Sequence, residues 1–251
     1  MANSKPTPRN ANLPIGELNR ATQQSTATPQ RNTAPTAAWH SRGYLPHFES
    51  SEVTQHVTFH LADSLPQSVL QRLNAQLKTL PTGKRDVELR KRVDAWIDAG
   101  HGSCILRQPI IAAMVQRSLL TFDSQRYRLL AWAVMPNHVH VLFQPIVPWK
   151  VQEIVAAWKK FTARKIHDHR PEIGTAPVWH REYWDRYIRD QSHFAQAIDY
   201  IHMNPVKAGL VTKPENWRWS SAFPGNANLP IGVFEFQNPA NQEIGVPGAK
   251  P

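Results

Sequence analysis

Cysteine is nearly absent from this 251-residue chain. Cys104 stands alone, so no disulfide can form within it, and a reducing compartment is the expectation. By itself it reads as a small buried hydrophobe. Long apolar runs are missing too. No stretch approaches the ~20 residues that a membrane-spanning helix needs, and no apolar core near the start resembles a secretion signal. The expectation is a soluble cytoplasmic protein with no membrane partner. Acidic residues are scarce beside basic ones, 19 Asp and Glu against 29 Lys and Arg, and the formal net charge is +10. A surplus of that size suggests a polyanionic partner, nucleic acid first. A solvated basic surface is the plainer alternative.

Large apolar residues are also sparse at both ends. The first 38 residues are rich in Pro, Thr, Asn, Gln and Ala, and the last 28, from Pro224, in Gly, Pro and Asn. Such composition buries too little surface to offset its ordering entropy. The reading is therefore a disordered N-terminal tail (1–38), one domain (39–223) and a flexible C-terminal tail (224–251). All nine tryptophans fall inside the middle segment, whose size suits a single core. The string NANLPIG occurs at 10–16 and again at 226–232, too far apart for a solenoid.

Within the domain, VTQHVTFHL from Val53 to Leu61 alternates as a strand does, with Val53, Val57 and Phe59 as apolar members. Ser64 is placed to cap a following helix with Pro66 in its first turn, and Leu70, Leu73 and Leu77 keep helical spacing. A second helix is predicted over Arg85–Ala99, with apolar Val87, Leu89, Val93, Trp96 and Ile97 and a charged face turned to solvent. A third runs from Pro109 to Phe122. YRLLAWAV (Tyr127–Val134) reads as a buried strand and HVHVLF (His138–Phe143) as the next, joined by a turn at Pro136-Asn137. A helix follows from Val151 to about His167, with Val151, Ile154, Val155, Trp158 and Phe161 on one face. VWHREYWDRYIR (Val178–Arg189) carries a short strand. A last helix runs from about Ser192 to Met203 and is stopped by Pro205. This order gives an α+β fold, a ferredoxin-like sandwich of antiparallel sheet with the helices on one side.

The chemistry-bearing feature is the pair of histidines one residue apart. In a strand, His138 and His140 point to the same face, and half-buried imidazoles are costly unless something binds them. A structural hydrogen-bonding role is the ordinary reading of an isolated pair; holding a metal ion is the other. On the last helix, Tyr200 borders the apolar stripe of Phe194, Ala197, Ile198 and Ile201, and Asn204 lies one turn further on the same side. If that helix packs on the histidine face, two imidazoles, an amide and a phenol converge. Such a set can hold a divalent cation with open positions and supply a phenol nucleophile. Asn204 could equally cap the helix end before Pro205. Tyr183 and Tyr187 are rival phenols, read here as packing or stacking residues. Lys159, Lys160, Arg164, Arg181, Arg186, Arg189 and Lys207 are candidates for phosphate contact as a set, and Trp184, Trp217 and Trp219 for base stacking or for the core. His193 and His202 receive no task.

MPNHVHVLF, REYWDRYIRD, YIHMNPVKAGLV and WRWSS, with WHSRGYLPHF and RYRLLAWAV before them, resemble the IS200/IS605-like tyrosine transposases, and more narrowly the REP-associated branch. The resemblance covers about residues 39–223. It implies the HUH endonuclease fold, His138 and His140 as paired metal ligands, Tyr200 as the single nucleophile and Asn204 at the position of a third ligand. It also implies Mg²⁺ or Mn²⁺ as cofactor, single-stranded or hairpin DNA as partner and nucleoid association. Cleavage would leave a 5′-phosphotyrosine and a free 3′-OH. Monomer and homodimer both fit. The rival expectation is a domesticated, non-cleaving protein that binds hairpin DNA.

Overall fold

The structure, a computed structural model, describes residues 38–41, 46–49 and 53–226. These lie in one compact unit, Pro35–Pro251, and the other unit, Met1–Ala34, falls outside the described residues. So does the first NANLPIG copy; of the second, only Asn226 is described. Two short strands, β1 (Ala38–Ser41) and β2 (Pro46–Glu49), pair antiparallel, Trp39 opposite Phe48. The main sheet is built from β3 (Gln55–His60), β4 (Tyr127–Val134), β5 (His138–Pro145) and β6 (Trp184–Tyr187) in the order β4-β5-β3-β6, every neighbour antiparallel. Helices α1 (Gln67–Gln76), α2 (Thr82–Asp98) and α3 (Pro109–Leu120) separate β3 from β4, and α4 (Val151–His169) separates β5 from β6. Strand, helices, strand, strand, helix, strand is the expected ferredoxin-like succession. A final helix, α5 (Gln191–Lys207), follows β6.

The sheet is covered on both faces, not on one as the sequence suggested. Val139, Val141 and Phe143 of β5 join Val57 and Phe59 of β3 in the core beneath α3 and α4. Leu142, Leu130, Ala131 and Ala133 face the other way and are sealed by Phe194, Ala197 and Ile201 of α5. The reason is visible in β4 and β5. Neither strand alternates apolar with charged residues, so each has two apolar faces to hide. A bulge between Leu129 and Ala131 shifts the β4 register against β5. His138 and His140 share the face of Leu142, in a strand buried along almost its whole length.

Several local expectations are corrected. Ser64 does not cap α1, which starts after Pro66 with no side-chain cap; its buried hydroxyl donates to the Leu61 carbonyl and bonds His60 Nδ1. Val87 and Phe161 share helical spacing with core residues but are 57% and 41% exposed, because each sits at the margin of its stripe. Pro205 does not stop α5. Proline removes one N–H bond and the helix gains its last turn regardless, running to Lys207 before Gly209, whose φ of 67° accepts the left-handed turn. Cys104 is only partly buried, in a left-handed conformation, with its thiol donating to the Gly100 carbonyl. The Pro224–Asn226 turn packs on the domain: Asn226 is buried and donates to the Arg218 and Ser220 carbonyls. Among the described residues no helix is long and apolar enough to cross a membrane.

Candidate metal and nucleophile site

Asn137, in the tight turn between β4 and β5, organises the site. Its amide nitrogen donates to the carbonyls of Ile97 and His101, both at 2.9 Å, which fastens the end of α2 to the hairpin. Its oxygen accepts from His138 Nδ1 at 2.7 Å. With Nδ1 donating, His138 presents the lone pair of Nε2. His140 is held through Nδ1, 2.9 Å from Thr58 Oγ1 and 3.3 Å from His56 Nε2, which turns its Nε2 toward His138. The two Nε2 atoms stand 3.0 Å apart, both rings almost fully buried.

Burial, followed by the neighbouring His60, pushes the His138 pKa down to about 3. Burial, His138 and His56 hold His140 well below its ordinary value. Both rings are therefore neutral at pH 7, and their Nε2 atoms meet within hydrogen-bonding distance at one point. Asp98, at the end of α2, faces that point with Oδ1 3.4 Å from His138 Nε2 and 4.0 Å from His140 Nε2. Asp98, His138 and His140 form a cluster able to hold a metal ion, and two imidazoles with a carboxylate suit a divalent cation. Their polar partners, Asn137 and Thr58, are of the kind that orient ligands from behind.

Tyr200 is the nearest phenol. Its ring centroid lies 5.3 Å from that of His140 and 5.8 Å from that of His56, and its hydroxyl donates to Asp98 Oδ2 at 3.5 Å. Asp98 thus turns one oxygen to the imidazoles and the other to the phenol. Burial raises the Asp98 pKa to about 6 against the hydrogen bonds from Tyr200 and Asn204. Burial, Asp98 and Asp94 push the Tyr200 pKa far above its ordinary value. Lys207 Nζ stands 5.1 Å from the Tyr200 ring centroid. Asn204 is buried with its amide nitrogen Nδ2 3.0 Å from His140 Nε2. It does not end the helix, which runs on to Lys207; its side chain belongs to the site.

His138, His140, Tyr200 and Asn204 are thus brought together. Asp98 was missed, because the polar side of α2 reads as a solvated face; the signal available was Asp94 and Asp98 one turn apart beside apolar Ile97. Asn137 was missed as well, read only as turn former. The basic residues do not form one groove. Lys160 and Arg164 are exposed on α4, in the layer beyond the sheet from α5. Lys159 donates to the carbonyls of His180 and Arg181, and burial lowers its pKa to about 8. Arg181 extends into solvent near Glu182. Arg186 and Lys207 lie on the Tyr200 side, and Arg189 is close enough to Arg186 to depress its pKa, after burial. Trp217 and Trp219 serve packing: Trp217 Nε1 donates to the Val134 carbonyl, and Trp219 joins the main core. Tyr183 is buried in that core. His202 bonds Ser221.

The antiparallel α+β sandwich thus sets a helix-borne tyrosine beside paired imidazoles and a carboxylate that could hold a metal ion. Residues 107–204, which carry both histidines and Tyr200, match the family described as "Transposase IS200 like". The chain is 25% identical over 109 residues to the REP-associated tyrosine transposase of Escherichia coli K12, covering 43% of this chain and 62% of that protein. It is 30% identical over 109 residues to a Haemophilus influenzae Rd protein provisionally named a REP-associated tyrosine transposase, covering 40% and 62%. It therefore spans less than two thirds of the length of these relatives. A solved structure of a REP-associated tyrosine transposase bound to a REP hairpin matches with a TM-score of 0.48 and 20% identity, over 78% of this chain and 93% of that one.

Proposed function

We propose that this chain is a metal-dependent, single-strand-specific DNA endonuclease and strand transferase acting on hairpin DNA of the REP type, with Tyr200 as nucleophile. The observation that carries the reading is the convergence of two buried, neutral imidazoles, a carboxylate and a phenol at one point. A Mg²⁺ or Mn²⁺ ion held by His138, His140 and Asp98, and by Asn204 once its amide turns its oxygen to the ion, would polarise a phosphate oxygen and ease loss of the phenolic proton. Asp98 Oδ2 is the acceptor facing that proton. Tyr200 Oη then bonds to phosphorus and the P–O3′ bond breaks. The departing oxygen takes up a proton and leaves as a free 3′-OH, while the other strand end stays on the protein as a 5′-phosphotyrosine. Attack by another 3′-OH reverses the step and rejoins the strand. Arg186, Arg189 and Lys207 contact the backbone near Tyr200; Lys160, Arg164 and Arg181 reach more distant phosphates. The active unit is residues 39–223 with the adjoining turn.

The test uses hairpin oligonucleotides with single-stranded flanks, taken from palindromes bordering the gene, incubated with the full chain and Mg²⁺ or Mn²⁺. A covalent protein–DNA adduct is expected on denaturing gels, abolished by Tyr200→Phe and by chelator while hairpin binding persists. Equal adduct from the Phe variant would reject Tyr200. Binding without any adduct from the unchanged chain would leave a non-cleaving hairpin binder.

A further inference from the structure

Beside Tyr200, and reaching His56 and Thr58 next to His140, lies a cavity of about 330 Å³. Four elements enclose it. Helix α2 contributes Arg90 and Asp94, β3 His56, β6 Trp184 and Arg186, and α5 Gln196 together with Tyr200 itself. We propose that it is a pocket for one unpaired nucleobase, belonging to the nucleotide next to the scissile phosphate. This deepens the nuclease reading and rests on it.

Three features point to that occupant. The volume is at the lower end of ligand pockets, roughly 300–1,000 Å³, which fits a single nucleotide and excludes a base pair within its duplex. Its lining combines the rings of Trp184 and His56 with two carboxylates, Asp94 and Asp185, and the Gln196 carboxamide. Splayed-out bases are recognised in this way, through ring contact and hydrogen bonds to their edges. Guanidinium groups also crowd its rim: Arg186 has its pKa depressed by burial, Arg189 and Arg90, and Arg90 lies 5.6 Å from the Trp184 ring centroid. Like charges gathered beside a ring have an electrostatic use when a phosphate joins them. Because Tyr200 forms one wall, a nucleotide seated here is one backbone step from the phosphodiester under attack. The pocket would thereby set the position of cleavage along the strand.

Binding in chelator separates this claim from catalysis. The probes are a short single-stranded DNA of random sequence and the same backbone without bases, followed by fluorescence anisotropy on the full chain. The base-bearing strand should bind roughly tenfold tighter, the scale of one base–aromatic stack. Asp94→Ala and Gln196→Ala should each remove most of that advantage. Equal binding of the two probes overturns the pocket. So does a base-dependent advantage that survives both substitutions, since the bases would then be held elsewhere. If the base-dependent advantage is found and lost as expected but no adduct forms with metal, the nuclease reading falls and the pocket stands.

Discussion

At the scale of single residues, the site depends on a side chain that never meets substrate. Asn137 uses its amide hydrogens on the carbonyls of Ile97, in α2, and His101, just past it, and its oxygen on His138 Nδ1. One residue thus selects the tautomer of one metal-facing imidazole and fastens the helix end that carries Asp98. Asn137→Ala leaves the Ile97 and His101 carbonyls without that donor and frees the imidazole to rotate. Loss of such a supporting partner costs about 10- to 100-fold in metal affinity, and each carbonyl left unpaired in the interior costs about 1–3 kcal/mol. Mn²⁺ titration of the variant by calorimetry should show that weakening with all proposed ligands still present. Unchanged affinity would mean that the His138 ring is oriented by packing alone.

At the scale of elements, the paired histidines, Tyr200 and Asn204 were legible because each set lies within one element. Period two puts His138 and His140 on one face, and one helical turn joins Tyr200 to Asn204. Asp98 was not, since it comes from a helix whose sequence separation from β5 carries no periodic signal. Nor was the two-sided sheet: Leu130, Ala131, Ala133 and Leu142 show a second apolar face only once the strands are known to be adjacent. The α1–α2 pair has its own small core of Leu70, Leu73, Leu77, Leu89, Val93 and Ile97, closed by Trp184. This makes a sharp contrast available. Ile97→Ala in that core and Leu119→Ala in the main core should each destabilise by about 2–5 kcal/mol. Only Ile97→Ala, which loosens the turn carrying Asp98, should also weaken Mn²⁺ binding in protein that remains folded. Thermal melts paired with titration would decide it, and equal loss of affinity in both variants would show that α2 is not a separate support.

At the scale of the whole molecule, placing several titratable groups in one interior makes stability depend on pH. Burial, ahead of Arg186 and His193, lowers His56 to about 4; burial, ahead of His180, lowers His60 to about 3; His138 falls to about 3 and His140 well below its ordinary value. The unfolded chain protonates these rings near 6.5, so their contribution is complete above that pH and is lost as pH falls below it. Asp94 and Asp98 act in the opposite sense. Burial chiefly raises them to about 7 and about 6, so the folded chain holds protons that the unfolded one releases above 3.8, and they favour folding as pH drops. Four rings outweigh two carboxyls. Near pH 5 unfolding takes up about two protons net, a slope of roughly 2–3 kcal/mol per pH unit. In chelator, the melting temperature should therefore fall steadily from pH 6.5 toward 4.5. His60→Asn, which keeps a polar side chain beside Ser64 and removes one titrating ring, should flatten that fall by about a third to a half. A melting temperature that rose over the same range would show that the carboxyls dominate, and with them that the imidazoles are not held neutral in the folded chain.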